Sequence, residues 1–148
     1  MRKRTDFINQ SIDEIEAEFF LRSRQYDTQI KRISTVTGIT ELSALFILSE
    51  IGADMSVFES DRYLCSRAGL TPANNESASK KKSTRCSKAG QYLKPLLIQC
   101  APAAVKSKKE PYFSIKYMRL AKRRSKKKAI IAIARMMLTG HLPYAVKQ

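Results

Sequence analysis

The sequence lacks the residue clusters that hold metal ions. Its three cysteines, Cys65, Cys86 and Cys100, are far apart, and histidine occurs once, at His141. A zinc site uses about four such ligands, commonly in closely spaced pairs, so we predict no metal site in this chain. The odd number and wide spacing of the cysteines indicate free thiols, which is typical of a reduced cytoplasmic protein.

Long apolar runs are also missing. No stretch approaches the roughly 20 apolar residues that cross a bilayer. The N-terminal stretch turns polar too soon for the apolar core of a signal peptide. We therefore expect a soluble protein in the cytoplasm.

Acidic residues are scarce in the second half of the chain. Residues 75–148 contain 19 Lys and Arg but two Asp and Glu, a net charge of +17. Residues 1–74 contain nine Lys and Arg and eleven Asp and Glu, a net charge of −2. This balance favours a polyanionic partner, either nucleic acid or an anionic membrane surface, and we expect it to dock on the C-terminal half. The hydrophobic content of 43% is enough for a folded core.

The expected fold is all-α, because the apolar residues recur at helical spacing and no period-2 alternation predicts a strand. The helical patterns divide the chain into two parts. The first part, residues 1–32, is a helical linker whose long helix extends to about residue 33. Its 4-3 apolar spacing favours either a coiled-coil seam or a plain amphipathic helix packed on its own domain. A seam needs a partner helix, and we expect a homo-oligomer to supply it. The apolar seam positions are Ile8, Ile12, Ile15, Phe19, Tyr26 and Ile33.

The second part, residues 33–148, is predicted to be a compact helical domain. Thr40 is the expected N-cap of an apolar core helix, and Gly52 is its C-terminal stop. Ser60 and Gly69 bound a second, shorter helix in the same way.

Helical patterns return beyond the polar segment that follows. From about residue 87 to residue 108, Pro95 and Pro102 interrupt the pattern and predict two helices or one bent helix. Two more helices are expected after it, divided near Ser125.

The stretch VTGITELSALFILSEIG resembles a helix-hairpin-helix element. In that motif a tight glycine turn opens a helix whose N-terminal amides face a DNA phosphate, which binds an anion without reading sequence. Gly38 fills the first glycine position and Thr40 stands at the second. The same residues also fit an ordinary helix cap, and the sequence leaves both interpretations open.

The segment GLTPANNESASKKKSTRCSKAG, residues 69–90, is polar and basic after its first few residues. An activated serine hydroxyl attacks a phosphodiester, and neighbouring cations stabilise the negative charge that develops on the phosphate oxygens. A solvated loop is the alternative, because such a composition is common in loops. The residues with the chemistry for phosphoryl transfer are Ser77, Lys80, Lys81, Lys82 and Arg85.

From about Ile33 to the end, the order of these motifs resembles transposases of the insertion-sequence-110 type, also grouped under 116 and 902. The family pattern has a glycine turn, an apolar helix ending in EIGD, a phenylalanine, GL-x-P, a serine-glycine pair, a basic stretch and SK-x-G-x-x-L-x-x-L-L. This sequence has TGIT, SEIGAD, Phe58, GLTP, Ser77 with Ala78, KKKSTR and SKAGQYLKPLL, and it ends with the basic helix RRSKKKAIIAIARMM.

The resemblance implies DNA recombination that moves an insertion element. The family serine that attacks DNA corresponds to Ser77, followed by the basic Lys80, and Ser79 is the next candidate. The resemblance also implies a structured guide RNA and a preceding acidic nuclease-like half that holds Mg²⁺. That half is missing from this sequence, and Ala78 and Ser79 replace the usual glycines, so we expect a truncated transposase that is inactive alone.

Two further hypotheses accompany the transposase fragment. One is a non-catalytic basic module that binds nucleic acid. The other is a membrane-surface protein, which the folded core disfavours. The residues predicted to bind nucleic acid are Gly38, Thr40, Lys80, Lys81, Lys82, Arg85, Lys88, Arg123, Arg124, Lys126, Lys127 and Lys128.

Overall fold

The structure, a computed structural model, describes residues 2–72, 75–77, 80–83, 86–140 and 142–143. For residues 2–3, 75–77 and 80–83 it describes the backbone alone. The fold is all-α, as predicted, with one short β-hairpin added. The helices are α1 Arg2–Arg22, α2 Asp27–Ser34, α3 Glu41–Ile51, α4 Asp61–Arg67, α5 Leu93–Lys106, α6 Pro111–Arg123 and α7 Lys126–Gly140. The strands are β1 Asn75–Ser77 and β2 Lys80–Ser83, and 3-10 turns occupy Arg24–Tyr26 and Met55–Val57.

The single helix predicted over residues 1–33 is divided in the structure. α1 ends at Arg22, and a 3-10 turn leads into α2. Ser23 lies at the division, where its hydroxyl donates a hydrogen bond of 3.1 Å to the carbonyl oxygen of Phe20. Such a bond from a serine side chain to the nearby backbone competes with continuation of the helix.

The two halves of this predicted helix differ in their packing. α2 packs on α3 and buries Ile30 and Ile33, so it is the amphipathic helix of the second alternative. α1 instead leaves apolar side chains open to solvent, and Ile8, Ile12 and Ile15 are 47% to 62% exposed. The coiled-coil alternative therefore concerns α1.

The predicted ends of α3 and α4 are confirmed. The Thr40 hydroxyl oxygen accepts a backbone N–H at the start of α3, and α3 ends at Gly52 with φ +78°. Ser60 caps α4 in the same way, and Gly69 follows its end with φ +66°. These ends depend on side chains within one turn of each terminus, which explains why the sequence reveals them.

α5 is one helix and begins at Leu93, later than the pattern from residue 87 suggests. Pro95 lies in the first turn, where backbone N–H groups have no intrahelical acceptor, so it removes no helical hydrogen bond. Pro102 lies inside the helix, which continues across it because core packing extends to both sides. The buried residues of α5 are Leu93, Leu97, Cys100, Ala101 and Ala104.

The division predicted near Ser125 is also confirmed, since α6 ends at Arg123 and α7 begins at Lys126. α7 occupies the centre of the domain and packs on α4, α5 and α6. Within the described ranges, no helix combines the length and apolarity needed to cross a membrane.

Candidate nucleic-acid interface

Two glycines join the ends of the segment that contains Ser77. Gly69 and Gly90 have φ +66° and +68°, in the left-handed region that favours glycine. A Cβ on Gly69 would overlap the carbonyl oxygen of Ala89, and a Cβ on Gly90 would overlap that of Ala68. We call these four residues the glycine junction, at which the two ends of the segment meet backbone to backbone.

Beyond the glycine junction, the segment predicted as a polar loop contains an antiparallel hairpin. A bridge between Pro72 and Cys86 leads into it. Ser77 ends β1, and the register pairs its Cα with that of Lys80 at the start of β2. These strands were not predicted, because three or four residues are too few for an alternating pattern to be recognised.

The other residues predicted to act in this segment lie in several different parts of it. Lys81 and Lys82 belong to β2. Ser79 and Arg85 lie outside the described residues. Lys88 follows the hairpin and is exposed to solvent. The roles assigned to these residues stay predictions.

A second group of predicted residues forms the connection between α6 and α7, which we call the α6–α7 corner (residues 122–128). All seven residues are exposed, and six of them are Lys or Arg. Arg123 ends α6, and Arg124 is its C-cap. Ser125 precedes α7 and accepts the backbone N–H of Lys128 at 3.4 Å. The first turn of α7 is therefore Lys126, Lys127 and Lys128, with no acidic residue.

Lys126, Lys127 and Lys128 of the α6–α7 corner oppose the dipole of α7. A cation near a helix N-terminus is unfavourable by roughly 0.3–1 kcal/mol, since the helix carries partial positive charge there. Among the described side chains, the ion pairs are Arg22–Glu18 and Lys31–Asp27, both in the N-terminal half. The corner thus has uncompensated positive charge that a bound anion would neutralise.

The third predicted region is the turn between α2 and α3, which we call the α2–α3 turn (residues 35–40). Gly38 has φ +91°, and a Cβ there would lie 2.6 Å from the backbone nitrogen of Ala104 and 2.7 Å from the carbonyl oxygen of Cys100. The turn thus packs directly on the backbone of α5. Thr40 acts as the N-cap of α3, so both residues have a structural role, and their DNA contacts stay predictions.

The α2–α3 turn has basic neighbours that are not among the residues predicted to bind nucleic acid. The Thr37 hydroxyl donates a hydrogen bond of 2.6 Å to the carboxylate of Glu110, which lies between α5 and α6. Three exposed lysines lie at the end of α5 and in the chain that leads from it to this carboxylate. The run KSKK was visible in the sequence, but the hydrogen bond between the adjacent Glu110 and Thr37 was not. These lysines are Lys106, Lys108 and Lys109.

Acidic side chains do not assemble into a metal site in the described part of the chain. No group of three or more His, Cys, Asp or Glu residues there is placed to hold a metal ion. Asp6, Asp13 and Glu14 lie on the exposed surface of α1. The acidic residues described here therefore do not fit a Mg²⁺ site. The resemblance assigns such a site to a separate acidic half.

Comparison with protein-family models gives a match. The family model described as "Transposase IS116/IS110/IS902 family" matches residues 30–118. The matched range includes the α2–α3 turn, the glycine junction, the hairpin and α5, and it ends before the α6–α7 corner. A search among curated proteins finds no match.

Proposed function

Because the chain belongs to the IS116/IS110/IS902 family of transposases, we propose that it binds DNA through its basic C-terminal half and takes part in recombination through Ser77. A role in transposition follows from the family. The family match over residues 30–118 is the observation that carries the proposal, since it includes the segment around Ser77.

DNA binding is supported by the exposed cations of the α6–α7 corner. Phosphates would neutralise these charges and relieve their repulsion from the α7 dipole. The contacts would position the protein on the DNA backbone without reading bases. The proposed contacts are Gly38, Thr40, Lys80, Lys81, Lys82, Arg85, Lys88, Arg123, Arg124, Lys126, Lys127 and Lys128.

Ser77 is the proposed nucleophile. Its hydroxyl oxygen would attack a DNA phosphorus, forming a phosphoserine bond while the bond from phosphorus to the leaving deoxyribose oxygen breaks. The serine proton passes to a base, and the leaving oxygen takes up a proton. Cations would stabilise the charge on the phosphate oxygens, and the pairing of Ser77 with Lys80 in the hairpin register supports this assignment.

The test compares Ser77→Ala with Ser79→Ala, each combined with the acidic half of a family transposase supplied as a separate chain. We expect Ser77→Ala to bind DNA normally and to form no covalent protein–DNA adduct on denaturing gels. Ser79→Ala is the matched control and should retain the adduct. An adduct that survives Ser77→Ala and disappears in Ser79→Ala would move the nucleophile to residue 79.

A non-catalytic nucleic-acid-binding module is the second candidate function, favoured by the same uncompensated charge. It predicts salt-dependent binding without any adduct, even for the unaltered chain. Measuring binding to DNA and to structured RNA in parallel also tests the guide RNA that the resemblance implies.

Self-association through α1 belongs to the same proposal. Ile8, Ile12 and Ile15 form an exposed apolar stripe at the 4-3 spacing of a coiled-coil seam. We expect Ile12→Asp with Ile15→Asp to convert an oligomer to a monomer in sedimentation experiments. Ala17→Asp, on the opposite side of α1, is the control and should leave the oligomer intact. An unaltered chain that sediments as a monomer would contradict the proposed seam.

A further inference from the structure

The end of α5 and the connection from it to α6 are held to the α2–α3 turn at two points. At one end, the close approach of Gly38 to Ala104 leaves no room for a side chain. At the other end, Thr37 donates its 2.6 Å hydrogen bond to Glu110, across 73 residues of sequence. The chain between these two points is fixed beside the turn, and it contains Lys106, Lys108 and Lys109.

Glu110 is unusual in its setting, because it is the only Asp or Glu that follows Glu76 in the sequence. Its carboxylate accepts the Thr37 hydroxyl and forms no ion pair with a described lysine or arginine. The single carboxylate of this basic region therefore ties the lysine segment to the turn, and the lysines themselves stay open to solvent.

Helix stability does not account for these lysines. Lys106 lies at the C-terminus of α5, where a cation is favourable, but Lys108 and Lys109 precede the N-terminus of α6, where it is unfavourable. The first turn of α6 has no acidic residue, and Glu110 makes no capping hydrogen bond. A bound polyanion would neutralise the positive charge of these lysines, which no acidic residue of the first turn of α6 offsets.

We infer that the α2–α3 turn and Lys106, Lys108 and Lys109 form one surface that contacts the phosphate backbone of duplex DNA. This inference rests on the proposed DNA-binding function and adds three lysines that the family motifs and the α6–α7 corner do not include. The three lysines lie within four successive residues, 106–109, and duplex DNA carries one charge per roughly 1.7 Å of its axis. We expect each of the three lysines to contact a phosphate.

The experiment measures affinity for a fluorescent 30-base-pair duplex by anisotropy at several salt concentrations. The triple variant Lys106→Gln, Lys108→Gln, Lys109→Gln is compared with the full chain. Each lost phosphate contact lowers the slope of log affinity against log salt by roughly 0.9, so the slope should fall by about 2 to 3. The control is Arg24→Gln, Arg62→Gln, Arg67→Gln, which removes the same charge from exposed residues of the N-terminal half.

The outcomes separate this inference from the function on which it rests. If the unaltered chain binds with a steep slope, and the lysine variant alone has a shallower one, the inference holds. If both triple variants keep the original slope, the lysine surface is refuted and the proposed DNA binding stands. If the slope falls by the same amount in both triple variants, the loss of net charge explains the effect and the surface is refuted. If the unaltered chain shows no salt-dependent binding, both proposals fail.

A second variant is expected to raise the affinity for DNA, a result that misfolding would not produce. Glu110→Gln keeps an oxygen to accept the Thr37 hydroxyl but removes the negative charge next to the lysines. If DNA lies on this surface, its affinity should rise about two- to fivefold at low salt, since nearby charges interact over roughly one Debye length. Unchanged affinity in Glu110→Gln would overturn the inference, because the carboxylate would then lie away from the DNA.

Discussion

Substituting Gly69 with alanine tests the glycine junction that joins the ends of the Ser77 segment. Two costs are combined at this position. The backbone has φ +66°, and the new Cβ would overlap the carbonyl oxygen of Ala89. The left-handed conformation costs an alanine about 1–2 kcal/mol. Relieving the overlap requires movement of the backbone, because a carbonyl group cannot rotate away as a side chain does.

The expected loss of stability is the sum of these two costs. Overpacking that forces backbone shifts adds about 1–3 kcal/mol, so Gly69→Ala should lower the free energy of unfolding by about 2–5 kcal/mol. Gly90→Ala should cost a similar amount, because its Cβ would overlap Ala68 in the same way. A domain of this size has about 5–15 kcal/mol of stability, so either variant should unfold at clearly lower denaturant.

Two other glycines provide matched controls. Gly52 has φ +78° but nothing within 4 Å of its Cβ position, so Gly52→Ala should show the conformational cost alone, about 1–2 kcal/mol. Gly140 has neither constraint, and Gly140→Ala should change stability by less than about 1 kcal/mol. Urea unfolding followed by far-ultraviolet circular dichroism measures all four variants.

The comparison of Gly69→Ala with Gly52→Ala is decisive. Equal losses would mean that Gly69 is constrained by its φ alone, and the backbone contact with Ala89 would be refuted. A larger loss for Gly69→Ala than for Gly52→Ala would support the contact. The glycine junction would then explain why the GL-x-P and SK-x-G motifs occur together.

The remaining predictions concern local features of the fold. Thr40→Ala should lower the free energy of unfolding by about 1 kcal/mol, because it removes the N-cap of α3, whereas Thr40→Ser should retain the cap; equal losses in the two variants would contradict this role. Burial raises the pKa of the Cys65 and Cys100 thiols above the ordinary 9.0, so both should react slowly with a thiol reagent at pH 8, while the half-buried Cys86 reacts first. Because these pKa values are higher in the folded state than in the unfolded state, the two neutral thiols favour folding fully below pH 9, and this contribution should decline as the pH rises further. Fast labelling of all three thiols in the folded chain would refute the burial of Cys65 and Cys100.

Parts of the candidate site could be predicted from sequence, and parts could not. The α6–α7 corner was identified as a basic helix junction because its charges are consecutive residues. The hairpin around Ser77 and Lys80 was missed, since its short polar strands have no apolar face for a pattern to reveal. The lysines beside the α2–α3 turn were also missed, because their position depends on a hydrogen bond between residues 37 and 110.

The sequence by itself determined the features that depend on a few neighbouring residues. The caps of α3 and α4, the division near Ser125, the all-α class and the charge of the C-terminal half all follow from local composition and spacing. Ordered motifs also predicted the family, although no single motif did so.

The tertiary structure decided which of these local features meet. A continuous 4-3 pattern runs through residues 8 to 33, yet α2 buries its part of the pattern on α3 while α1 leaves its part exposed. Gly69 was recognised as a helix end, but its contact with Ala89 and the matching role of Gly90 arise only when distant segments pack. Local propensity acts within about one helical turn, whereas burial and backbone contact depend on the whole fold.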